Sequence, residues 1–202
     1  MDPWVKVEDP RPGIRTSRGR VGDLLLLQAD PVRPCSGCTI ACSDASHPAT
    51  CGCGCSPSCA EAPRRLSIEP SRYPVEPHIL PIVFALFGSG LAQPCWSCEG
   101  HNDAGGTLYK WPGVWFYSNS ITYLDLLRTT LAALHDTHRT HRAWEVHPCD
   151  WQPHPAATLY VLGPNRAVSE PTLSALHEDL VAVGQGLATD VRALASGWMA
   201  TG

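Results

Sequence analysis

At 202 residues the chain has room for one or two domains, and its 44% hydrophobic content is enough for a packed core. A net charge of −4 lacks the basic footprint that general nucleic-acid binding needs. The longest apolar stretch, Ile79–Leu91, is broken by Pro81, Gly88, Ser89 and Gly90, which is too short a run to span a bilayer.

No positive segment followed by an apolar run opens the chain, so the expectation is a cytoplasmic protein without a membrane anchor. Cytoplasmic thiols are kept reduced, and ten cysteines in that setting point to metal rather than to disulfides. Residues 1–34 read as a Pro- and Arg-rich arm with a short strand near Gly22–Gln28. Lys6, Arg11, Arg15, Arg18 and Arg20 make it locally basic. A solvated arm is the favoured reading, with a nucleic-acid contact as the lesser one.

Residues 35–59 follow as a cysteine-rich segment. The spacing is Cys35-x2-Cys38-x3-Cys42, then Cys51-x-Cys53-x-Cys55-x3-Cys59, with His47 between the two groups. Seven thiolates and one imidazole make eight ligands, the number two separate tetrahedral zinc ions require; bridging thiolates in a shared cluster would need fewer. Ile40 is the only large apolar residue among small and polar neighbours. Ordering such a backbone costs about 1–2 kcal/mol per residue, whereas structural zinc supplies about 10–16 kcal/mol. The segment is therefore expected to be stabilised by metal. An iron–sulfur centre is the alternative cofactor, although the spacing departs from the C-x2-C-x2-C-x3-C-P run of bacterial ferredoxins. The Cys-x-Cys-x-Cys portion resembles a metallothionein fragment.

Residues 60–77, with Pro63, Pro70, Pro74 and Pro77, read as a linker, and residues 78–202 as a folded domain. Ile79, Ile82, Val83, Leu86 and Phe87 recur at helical spacing; Pro81 is tolerable in a first turn, and Gly88 and Gly90 end the helix. Next comes a second constellation, Pro94-Cys95-Trp96-Ser97-Cys98-Glu99-Gly100-His101. Cys95, Cys98 and His101 are spaced to converge on one zinc, with Cys149 as a candidate fourth ligand. Three protein ligands would leave a catalytic position open, and four would close a structural site. In a rival reading Cys98 is a nucleophile activated by His101, with Glu99 as general acid or base. In the plainest reading both cysteines are small buried residues in a turn.

Val114–Tyr117 reads as a strand. Ile121, Leu124, Leu127, Leu131 and Leu134 mark an amphipathic helix started by Ser120 or Thr122. His135, His138 and His141 at its end read as a polar helix terminus, because three-residue spacing drifts around the helix. Ala143–Val146 and Thr158–Leu162 read as strands, the latter ending at Gly163-Pro164. A last helix begins near Pro171 and is weakened in the middle by Gly184 and Gly186. Trp111, Trp115, Phe116 and Tyr117 belong to the core and rim of the sheet, with Trp144 and Trp151 nearby. If the Cys95 region adds an edge strand, the domain is α+β: a small mixed or antiparallel sheet with about three helices on one face.

The order helix, glycine turn, Ser97-Cys98-x-Gly100, aromatic strand over Ile79–Tyr117 resembles a pattern in small uncharacterised bacterial and phage proteins. It is distantly similar to the Ser-Ser-Cys-x-Gly stretch of the wybutosine-synthesising methyltransferases that act on transfer RNA, with Trp96 in place of the second serine. The resemblance implies a functional loop at 97–101 and carries no activity with it. The sequence has no phosphate-binding glycine loop, nucleotide fingerprint, G-x-S-x-G or H-E-x-x-H. The leading expectation is thus a zinc-binding adaptor that recognises a protein or a small molecule near residues 95–101. The first alternative is a metal- or cysteine-dependent enzyme with its site at Cys98, Glu99 and His101; the second is an iron–sulfur protein.

Overall fold

The computed structural model describes residues 66–67, 71–89, 91–118, 120–149, 158–167 and 171–201. The proposed ligands Cys35, Cys38, Cys42, His47, Cys51, Cys53, Cys55 and Cys59, the strand near Gly22–Gln28, and Trp151 lie outside these residues. Among the described residues, three helices and six strands run in the order α1 (Leu80–Gly88), β1 (Gln93–Cys98), β2 (His101–Asn102), β3 (Leu108–Lys110), β4 (Gly113–Ser118), α2 (Ile121–Asp136), β5 (Trp144–Pro148), β6 (Thr158–Pro164) and α3 (Leu173–Thr201). The main sheet has the order β1-β4-β6-β5, and every neighbouring pair is antiparallel. β1 is an edge strand, as the Cys95 region was expected to supply. The architecture of the described residues is α+β, with a small antiparallel sheet and three helices.

Period-two alternation sends Val114 and Phe116 of β4 to one face of the sheet and Trp115 and Tyr117 to the other. The first face meets the helices. Ile79, Ile82, Val83 and Leu86 at α1, Leu124, Leu127, Leu131 and Leu134 of α2, and Leu180, Val183, Leu187 and Val191 of α3 close over it into one core. On the opposite face Tyr117 and Leu159 are buried, with Cys95, Trp115 and Cys149 against them.

The helix ends follow local chemistry. Pro81 sits in the first turn of α1, where its missing N–H costs no helical bond. At the other end the Ser89 hydroxyl donates to the Leu86 carbonyl and accepts from the Leu91 N–H, closing the helix where the sequence suggested glycine alone. Ser120 caps α2 by accepting the Tyr123 N–H.

Gly184 and Gly186 do not interrupt α3, and they let it be crossed. A Cβ at Gly184 would lie 2.5 Å from the Pro81 side chain and 3.0 Å from its backbone, and one at Gly186 would lie 2.7 Å from Leu134. The glycines therefore mark where α1 and α2 approach α3 too closely for any side chain.

Two details of the fold were not read from the sequence. Asp103, Gly105 and Gly106 turn β2 into β3: the Asp103 carboxylate accepts the Gly105 and Thr107 N–H groups, and Gly106 takes φ +84°. Asp179 of α3 is fully buried and its carboxylate accepts the His141 N–H, the Arg142 N–H and the Trp144 indole N–H. It ties the α2–β5 loop onto α3.

Candidate metal centre

Two groups of side chains, each with ligand atoms within 4.8 Å of one another, occur among the described residues: Glu76, Cys98 and His101, and next to them His78, Glu99 and His177. Glu76 and His78 precede α1, residues 98–101 form the turn from β1 into β2, and His177 lies in the second turn of α3.

Gly100 makes this turn feasible. Its φ is +89°, a conformation open to glycine, and a Cβ there would lie 3.0 Å from Pro112 and 3.1 Å from Leu173. The tight turn brings His101 back beside Cys98, whose sulfur accepts the Gly100 N–H at 3.4 Å. Glu76 completes the group. One of its oxygens lies 3.0 Å from His101 Nε2, and the other accepts the Glu99 N–H at 2.7 Å. Cys98 is 1% exposed, whereas the Glu76 and His101 side chains are about one-third exposed, so the group has a buried sulfur floor and an open rim.

Burial pushes the Cys98 thiol up; the Gly100 N–H opposes this, the Glu76 carboxylate adds to it, and Lys110 counters it. An activated nucleophilic cysteine needs the reverse shift. The Glu99 carboxylate is not grouped with Cys98 and His101. It turns the other way and accepts the His78 N–H at 2.8 Å. The constellation Cys98, Glu99, His101 is thus divided between two groups, because consecutive residues leaving a strand point to opposite sides.

Cys95 and Cys149 belong to neither group. The C-x2-C spacing converges on one ion when it lies on a turn, but here Cys95 to Cys98 is strand β1, where three residues span roughly 10 Å. Cys95 is directed by a bulge in the β1–β4 pairing to the outer sheet cluster, where its sulfur donates to the Trp115 carbonyl at 3.4 Å. Burial, with Cys149 nearby adding to it, pushes this thiol up to about 12. Both cysteines pack there against the buried Tyr117 and Leu159. The polar reading of the α2 terminus fits the exposed His138 and His141, the latter paired with Glu178 at 2.9 Å.

Glu76, His78 and His177 were missed. Glu76-Pro77-His78 has two ligand types two residues apart, a weak but visible local signal. His177 is a single histidine in a long helix, and nothing in its neighbours marks it.

The fold and site define an α+β domain with a mixed oxygen, sulfur and nitrogen ligand group at the mouth of an edge strand. No family model, no curated protein and no solved structure matches the chain. No helix among the described residues is long and apolar enough to cross a membrane.

Proposed function

We propose that this chain is a zinc-binding protein whose folded domain holds one ion through Glu76, Cys98 and His101, and whose cysteine-rich segment at 35–59 holds further zinc. The observation that carries the reading is the convergence of three ligand types from two separated segments within 4.8 Å. Zinc with bond lengths near 2.0–2.3 Å places tetrahedral ligand atoms roughly 3.3–3.8 Å apart, and the three groups already lie within 4.8 Å of one another, with Glu76 and His101 3.0 Å apart, so side-chain adjustment assembles the site. A borderline ion accepts this mixture of thiolate, imidazole and carboxylate. It also offsets the burial that keeps the Cys98 proton in place, since metal binding releases that proton. The ion would staple the segment before α1 to the β1–β2 turn. The protein's role in this reading is that of a binding or adaptor protein, with the 98–101 loop as its recognition surface.

The test is zinc content of the full chain against a Cys98→Ser/His101→Ala variant that keeps its far-ultraviolet circular dichroism. The expected result is one equivalent fewer in the variant, and an unchanged count contradicts the proposal. A catalytic reading is favoured by one observation: three protein ligands leave a coordination position open. Cobalt(II) in the site would then change its visible spectrum on adding azide, and a closed structural site would not.

A further inference from the structure

His78, Glu99 and His177 lie beside the proposed zinc site but share no side chain with it. We propose that they form a second, separate metal site, taking a divalent first-row transition ion through two imidazoles and one carboxylate.

Four features of the geometry support it. The rings of His78 and His177 stack with centroids 3.8 Å apart and planes 15° apart, so two imidazoles from distant parts of the chain are already held together. The His177 Nε2 lies 3.1 Å from the Glu99 carbonyl oxygen. A carbonyl only accepts, so Nε2 carries the proton and Nδ1 carries the lone pair. This is the outer-shell arrangement that fixes the tautomer of metal-binding histidines. The Glu99 carboxylate uses one oxygen on the His78 N–H and leaves the other for an ion. Finally, the Glu76 carboxylate accepts the Glu99 N–H while the Glu99 carboxylate accepts the His78 N–H. These reciprocal bonds lock segment 76–78 against 98–101 and aim one carboxylate at each ligand group.

The two sites differ in chemistry. The first contains sulfur; the second has only nitrogen and oxygen, a set that suits zinc, iron(II), nickel or copper. His78 is exposed and Glu99 and His177 are half-buried, so an ion can enter from solvent. Coordination would tilt the rings out of their stack to turn both lone pairs toward one ion.

Cobalt(II) titration of the full chain separates the sites, because thiolate ligands add an intense charge-transfer band and nitrogen–oxygen sites do not. A His78→Ala/His177→Ala variant is expected to bind one equivalent fewer with the charge-transfer intensity unchanged. The Cys98→Ser/His101→Ala variant is expected to lose a different equivalent together with part of that band. If the first variant folds and binds as many cobalt ions as wild type, the second site does not exist. If it instead loses charge-transfer intensity, the rings serve the sulfur site and the proposal is equally overturned. Should the double variant unfold, His177→Gln alone is read the same way. Failure of the Cys98→Ser/His101→Ala arm alone would count against the zinc proposal and leave this one standing.

Discussion

Gly100, Asp179 and His141 each connect one side chain, or the lack of one, to a measurable effect. Gly100→Ala forces a Cβ into a left-handed conformation against Pro112 and Leu173, and is expected to destabilise the fold by about 1–3 kcal/mol in denaturant unfolding. A loss under a few tenths of that range would mean the turn relaxes freely. Asp179→Ala leaves three donors without their acceptor, and at about 1–3 kcal/mol per unsatisfied buried group the expected loss is about 3 kcal/mol or more. His141 is held above the usual imidazole range by its hydrogen bond to Glu178, opposed by burial and aided by the charges of Asp179 and Glu178. Its folded pKa is raised, so the pairing stabilises the protein fully below the unfolded value near 6.5 and loses that contribution as pH rises through the folded value. Histidine ring NMR should show His141 titrating high in wild type and closer to the ordinary value in Glu178→Gln. Residue by residue, the sequence disclosed the ligand types at 98–101 but not their grouping. Cys98, Glu99 and His101 read as one constellation because sequence spacing ignores which side of a strand each residue faces. His177 was invisible because its partners are 78 or more positions away.

At the level of elements, periodicity was informative, and glycine was so at the end of α1 but not within α3. The leucine spacing of 121–134 and the aromatic run at 114–117 correspond to α2 and β4. The short β2–β3 hairpin was overlooked although Asp103-Ala104-Gly105-Gly106 carries a turn signal. Gly184 and Gly186 look like helix breakers because propensity is a local property; their reason is a crossing with α1 and α2, which only tertiary structure reveals. Gly184→Ala should therefore destabilise by about 1–3 kcal/mol through overpacking against Pro81, despite alanine being the better helix former. A gain in melting temperature would show that α1 moves aside easily.

For the whole molecule, the two-layer arrangement explains why the ligand groups sit where they do. The helices cover one face of the sheet, so the segment leading into α1 and the start of α3 meet at the end of edge strand β1, and the turn leaving β1 lies between them. The fold class was legible because a 44% hydrophobic chain with alternating and helical patterns has few ways to bury both. The site was only half legible because it is assembled from the chain before α1, the turn after β1 and the second turn of α3. Cadmium-113 NMR of the cadmium-loaded full chain addresses the central claim most directly, since its chemical shift reports how many sulfurs surround each ion. The expected spectrum contains a resonance in the one-sulfur range that vanishes in Cys98→Ser, while the thiolate-rich resonances of the 35–59 segment persist. A spectrum in which every resonance is thiolate-rich and survives that substitution would contradict a metal at Glu76, Cys98 and His101.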